Sequence, residues 1–312
     1  MKISILFPET RDVRAVRELA VSSEARGFHG MWLGAAFGFD PVMALALAGD
    51  ATSSIQLGVA VLPTWPRHPI VTAQQAATAS AATGGRFRLG LGPSHEPVMA
   101  MYGIPFDRPI SHLREYLEIV RALLRDGQVA HQGERYQVSG FLDVADAPTP
   151  PVLLGVLREQ TARLAGAASD GALCWLGPAP YLHEVVGPNL VAGSTEAGRA
   201  TPPLIAELPC ALGTDRDALH AMAATDLGIY PQMPFYRAMF KAAGLALDKG
   251  RWTDEMLDAS VIHGDEDQIA TKVRRFFEAG ADEVVLSPFG LGDDPDGSRQ
   301  DCISVLSDIA KG

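Results

Sequence analysis

The stretch IQLGVAVLPTWPRHPIVTAQQAATASAATGGRFRLGLG, residues 55–92, decides the fold. It opens on an apolar run, IQLGVAVL, passes through a helical segment at Pro69–Ala82, and returns to a second run, RFRLGLG. Short apolar runs bounded by Gly and Pro read as buried strands. A strand, a helix and a strand in that order imply a parallel pair joined by a right-handed crossover. Pro63, Pro66 and Pro69 force an extended exit from the first strand and fix the start of the helix.

The same unit repeats in both directions. Upstream stand KISILF (2–7), helix spacing at Val13, Val16, Leu19 and Ala20, MWLG (31–34), and DPVMALALAGD (40–50), with Asp40 as cap and Pro41 in the first turn. Downstream, Leu113, Tyr116, Leu117, Val120 and Leu124 share one helical face. A polar stretch, Asp126–Pro150, has room for a short hairpin. PVLLGV (151–156), the helix EQTARLAGAA (159–168), GALCWLG (171–177) and PPLIAELPCALG (202–213) follow. A helix marked by Ile269, Val273, Phe276 and Phe277 leads to the last run, DEVVLSPF (282–289).

Eight strand candidates in 312 residues fit a closed (β/α)8 TIM barrel better than the rival, an open doubly-wound sheet. Residues 214–260 exceed what a connection needs. They predict an insertion, before the last helix and strand, that borders the site. No linker or composition break divides the chain, so residues 1–312 read as a single domain. In such a barrel the ligand belongs at the C-terminal ends of the strands.

Composition narrows the function. The net charge is −11, from 26 basic and 37 acidic residues, with no basic stripe, which argues against a nucleic-acid partner. No run is long enough to cross a membrane, and the start MKISILFPE reads as a strand rather than a signal peptide. Cys174, Cys210 and Cys302 lie far apart, as expected of thiols in a reducing, cytoplasmic setting. The eight histidines lack metal-ligand spacing, so no metal is expected, and no G-x-S-x-G elbow marks a nucleophilic serine.

FRLGLGPSHEP (87–97) imitates a dinucleotide fingerprint. However, Gly90-x-Gly92-x-x-His95 lacks the third glycine and falls on the fourth strand, where that motif does not belong. Gly90 and Gly92 instead let the strand crowd a neighbour or let a flat ligand approach the backbone. Aromatic side chains gather at predicted strand ends: Phe7, Trp32, Phe37, Phe39, Trp65 and Trp175. Trp32, Phe37, Trp65 and Trp175 are expected to wall an apolar substrate pocket for a planar molecule, with core packing as the alternative.

With LGVAVLPTWPRHP (57–69), FRLGLGPSHEPVMAMYGIPFDRP (87–109), ARLAGAASDGALCWLG (162–177) and GDEDQIATKVRRFFEAGADEVVLSPF (264–289), the chain resembles the bacterial luciferase-like oxidoreductases, most closely their coenzyme F420-dependent branch. The resemblance implies a non-prolyl cis peptide behind the cofactor ring at Ala60–Val61. It implies ring contacts from Phe7, Glu9, Gly92 and Ser94, and a cofactor phosphate near Gly155, Leu157, Arg158 and Thr161, where a helix N-terminus favours an anion. Deazaflavin dehydrogenases of this family carry an Asp-His pair where this chain has Ala35 and Ala36, and a Glu where it has His95. His95 and Glu9 are therefore the expected protonatable pair.

The implied activity is F420-dependent hydride transfer to or from a small organic substrate, with reduction of an activated C=C or C=N bond favoured over alcohol oxidation. An FMN-dependent two-component monooxygenase and a non-catalytic flavin-binding protein are the rival readings. A homodimer is the candidate assembly, and neither the substrate nor an interface can be read from the chain.

Overall fold

The computed structural model describes residues 1–8, 12–35, 37–144 and 147–312. Eleven strands occur among them: β1 (Ile3–Phe7), β2 (Gly30–Leu33), β3 (Gln56–Pro63), β4 (Phe87–Gly92), β5 (Gln128–Gln132), β6 (Gln137–Phe141), β7 (Val152–Gly155), β8 (Ala172–Trp175), β9 (Leu204–Leu212), β10 (Ile262–Gly264) and β11 (Glu283–Phe289). Eight of these close into a parallel barrel in the order β1-β2-β3-β4-β7-β8-β9-β11, with β11 returning to β1. It is a TIM barrel, and each of its strands is one of the eight apolar runs. β5 and β6 form an antiparallel hairpin within Asp126–Pro150.

The helices start where the caps predict. Asp40 accepts from Met43 N with Pro41 in the first turn, and Asp265 and Gln268 cap the helix Glu266–Glu278 reciprocally. The long helix Pro109–Asp126 buries Leu113, Tyr116, Leu117 and Val120 against the barrel, and Gly127 ends it at φ 70°.

Three features depart from the sequence reading. A short parallel strand, β10, adds to the outside of β9. The chain does not end its regular structure at β11, because the helix Pro295–Lys311 buries Cys302, Ile303, Val305 and Leu306 against the barrel. Residues 214–260 also contain regular helices, at Arg216–Asp226, Pro234–Ala242 and Asp254–Ser260. These are short, and tertiary packing rather than a long periodic pattern holds them.

The barrel interior is layered. At the N-terminal end Glu283 accepts from Ser4 Oγ at 2.7 Å, from Trp32 Nε1 at 3.2 Å and from Arg88 at 2.7 Å. The Arg88 guanidinium lies 4.5 Å from the Trp32 ring centre. Leu6, Trp32, Leu153, Leu173, Ile205 and Val285 fill the next layer. Gly58 makes room for Trp32: a Cβ there would sit 2.2 Å from the indole. Among the described residues the lower end is therefore plugged, and a cavity opens above it.

Candidate active site

Above the plug, at the C-terminal ends of the strands, lies a cavity of about 760 Å³. β1 and β2 supply Leu6 and the residues just beyond, Pro8, Gly34 and Ala35. β3 supplies Ala60 and Val61, and β4 leads through Gly92 into Ser94 and His95. β7 leads into Gly155–Thr161, β8 gives Leu173 and Trp175, and β9 gives Glu207. The 214–260 segment closes one side with Ile229, Tyr230, Phe235 and Tyr236.

The wall at β3 and β4 is backbone-lined. The peptide Ala60–Val61 is cis, at the position the family resemblance implies, and the pairing with β4 shifts register between Val59 and Leu62. A Cβ on Gly90 would meet Val59 O at 2.2 Å, so this glycine serves strand crowding. Gly92 faces the cavity, with Val61 as its close neighbour. Ser94 adopts a left-handed backbone, φ 62°, which turns the chain into the short helix that follows His95.

An aromatic wall runs across the site. The His95 ring lies 5.6 Å from Tyr236, Tyr236 lies 4.8 Å from Tyr230, and Tyr230 lies 6.1 Å from Trp175. Phe37 and Tyr102 stack at 6.4 Å on the mouth, where Phe37 is exposed. Burial depresses the His95 pKa below the usual 6.5, which keeps the ring neutral near pH 7. Burial likewise pushes the Tyr230 hydroxyl up to about 12.

Polar atoms in this wall lack partners. His95 Nδ1 and Glu207 Oε1 are buried without a hydrogen bond, and Trp175 Nε1 has none of good geometry although the Tyr230 hydroxyl is near. These atoms are enclosed as well as unpaired, so they sit within the wall, while the residues that carry them line the cavity. Beside them the mouth has a different character. The N-terminus of the helix Glu159–Ala168 opens on the cavity with Arg158. Thr161 Oγ accepts from Leu157 N and Arg158 N and donates to Arg158 O, so its hydroxyl shapes this turn rather than standing free.

Most of the residues expected at the site meet here: Ala60, Val61, Gly92, Ser94, His95, Gly155, Leu157, Arg158, Thr161, Phe37 and Trp175. Three do not. Trp32 points into the barrel but lies below the cavity, fully buried and bonded to Glu283. Trp65 folds away and stacks on His112 at 3.7 Å, between Phe106 and Arg135. Phe7 takes the outward face of β1 beside Leu19 and Ile303, while its neighbour Leu6 faces in, as strand alternation requires. Glu9 and Ala36 lie outside the described residues.

The sequence reading missed Glu207, Tyr230, Phe235 and Tyr236. A carboxylate within the apolar run LIAELPCAL was the one available signal. The others stand in the segment without a long periodic pattern.

The chain belongs to the luciferase-like monooxygenase family, whose profile matches residues 1–283. It is 26% identical over 311 residues to a 5,10-methylenetetrahydromethanopterin reductase of Methanolobus tindarius, covering 93% of this chain and 95% of that one. An F420-dependent secondary alcohol dehydrogenase, solved with an F420-acetone adduct, superposes with a TM-score of 0.82 at 18% identity over 99% and 97% of the two chains. The FMN-bound oxygenating component of 3,6-diketocamphane monooxygenase of Pseudomonas putida superposes at 0.74 and 17% identity, over 99% and 98%. Among the described residues no helix is long and apolar enough to cross a membrane, and no three His, Cys, Asp or Glu side chains group as a metal site.

Proposed function

We propose that this protein is a coenzyme F420-dependent oxidoreductase acting on a small organic molecule. The observation that carries this reading is the division of the cavity. A largely apolar cleft, backed by glycine and walled by aromatic rings, adjoins a mouth with Arg158 and a helix N-terminus. That division suits a ligand with a neutral planar ring and an anionic tail. The F420-dependent secondary alcohol dehydrogenase, which matches nearly the full length, points the same way.

In this reading Ala60, Val61, Gly92 and Ser94 pack on the ring, and Gly155, Leu157, Arg158 and Thr161 hold the phosphate. Bound there, a deazaflavin supplies hydride transfer, chemistry that no side chain provides. The chain's own part is to orient the substrate against the aromatic wall and to exclude water. Neutral His95, which lines the cavity, accepts or donates the accompanying proton. Glu9, which follows β1, is its proposed companion. With alanine at position 35, reduction of an activated C=C or C=N bond is the favoured direction.

The deciding experiment titrates the purified protein with oxidised F420 and with FMN by fluorescence. Micromolar F420 binding with negligible FMN binding is the expected result, to be followed by a screen of enones and imines. Preference for FMN would replace this reading with a two-component monooxygenase, for which oxygen uptake is the assay. Binding without turnover across that screen would leave a flavin-binding protein.

A further inference from the structure

Among the described residues Glu207 belongs to no ion pair, and it lines the cavity. It is 3% exposed, on β9, and its Oε1 has no hydrogen-bond partner. Its register partners are Trp175 on β8 and Val285 on β11, so it stands under the aromatic wall and above the Arg88–Glu283 plug. The charged pair below is already complete, because Arg88 bonds to Glu283 rather than to Glu207. Glu207 thus lines the cavity as a buried carboxyl group, and among the described residues no cation is paired with it.

We propose that Glu207 is a ligand-contacting acid of this site, which stays protonated and donates a hydrogen bond to an uncharged acceptor, a carbonyl oxygen or ring nitrogen, on the planar ligand. This deepens the proposed function and rests on it. Burial and the nearby Glu283 charge push the Glu207 pKa up to about 8, against a smaller opposing pull from Arg88. The other titratable groups that face it hold their protons in that range. Cys174 and Tyr230 are each pushed up to about 12, and Tyr236 stands well above its usual value. Glu207 is therefore the cavity group that changes charge as the solution turns mildly alkaline. A ligand that accepts its proton binds the neutral form and raises its pKa further, so affinity declines once pH exceeds that of the free acid.

Two measurements test this. Infrared titration of the ligand-free protein, with E207Q as baseline, is expected to show one protonated carboxyl C=O band that is present at neutrality and lost above about pH 8. A Glu207 that is already ionised at pH 6 overturns the proposal. Binding of oxidised F420 and of FMN is then followed from about pH 6 to about pH 10 in wild type and E207Q. Wild-type affinity is expected to fall by up to about tenfold per pH unit on the alkaline side, while E207Q, which keeps a donor but cannot titrate, lacks that component. Equal pH dependence in the two proteins overturns the contact. If neither compound binds wild type, the cofactor reading fails and the infrared titration alone decides the state of Glu207.

Discussion

His95 shows how a single side chain is prepared by its surroundings. It is the N-cap residue of a short helix, though its side chain makes no cap bond, and its ring lies against Tyr236 on the cavity wall. Burial keeps it neutral near pH 7, so under the proposed function it is free to take a proton. General acid–base catalysis is typically worth a hundredfold or more, so His95→Ala should lower turnover by about that factor with little change in F420 affinity. Unchanged kcat at neutral pH would remove His95 from the chemistry. At this scale the family resemblance pointed to Gly92, Ser94 and Gly155, which do line the cavity. The sequence was less legible where depth decides. Trp32 does face inward, but its ring fills the layer above Arg88, a distance down the barrel that no local pattern encodes.

Among the elements, β4 and β11 carry the most exacting contact. Arg88 and Glu283 bond at 2.7 Å, with their side chains 11% and 3% exposed. A buried ion pair offers little net stability over an apolar pair, but removing one partner leaves a charge without compensation. Glu283→Ala should therefore cost roughly 3–5 kcal/mol in urea unfolding. Arg88→Met with Glu283→Leu should recover much of that loss. Equal loss in the single and double variants would contradict the account. The strands themselves were readable because both faces are buried in a closed parallel barrel, leaving continuous apolar runs. The segment 214–260 was not, since its helices are short and the buried stripe Tyr236, Met239 and Phe240, though at helical spacing, spans little more than one turn. The last helix, with its buried stripe from Cys302 to Leu306, was the more recoverable omission.

For the molecule as a whole, the buried acid sets a pH dependence of folding. A carboxyl whose pKa rises from 4.5 to about 8 on folding is protonated in the native state and ionised in the unfolded one between those values. The unfolded chain then binds fewer protons, so stability falls as pH climbs through that window and levels off above it. The full displacement corresponds to about 5 kcal/mol. Glu207→Gln should thus leave stability nearly unchanged near pH 4.5 and raise it by several kcal/mol near pH 8, read as the shift in urea midpoint. A variant no more stable than wild type at the higher pH would show that the acid is not held neutral by the fold. The plug of Ser4, Trp32, Arg88 and Glu283 has a kinetic consequence too. Among the described residues the floor is sealed, so traffic reaches the cavity from the opposite face of the barrel. Under the proposed function two compounds would then share that approach and queue, the deeper one arriving first and departing last.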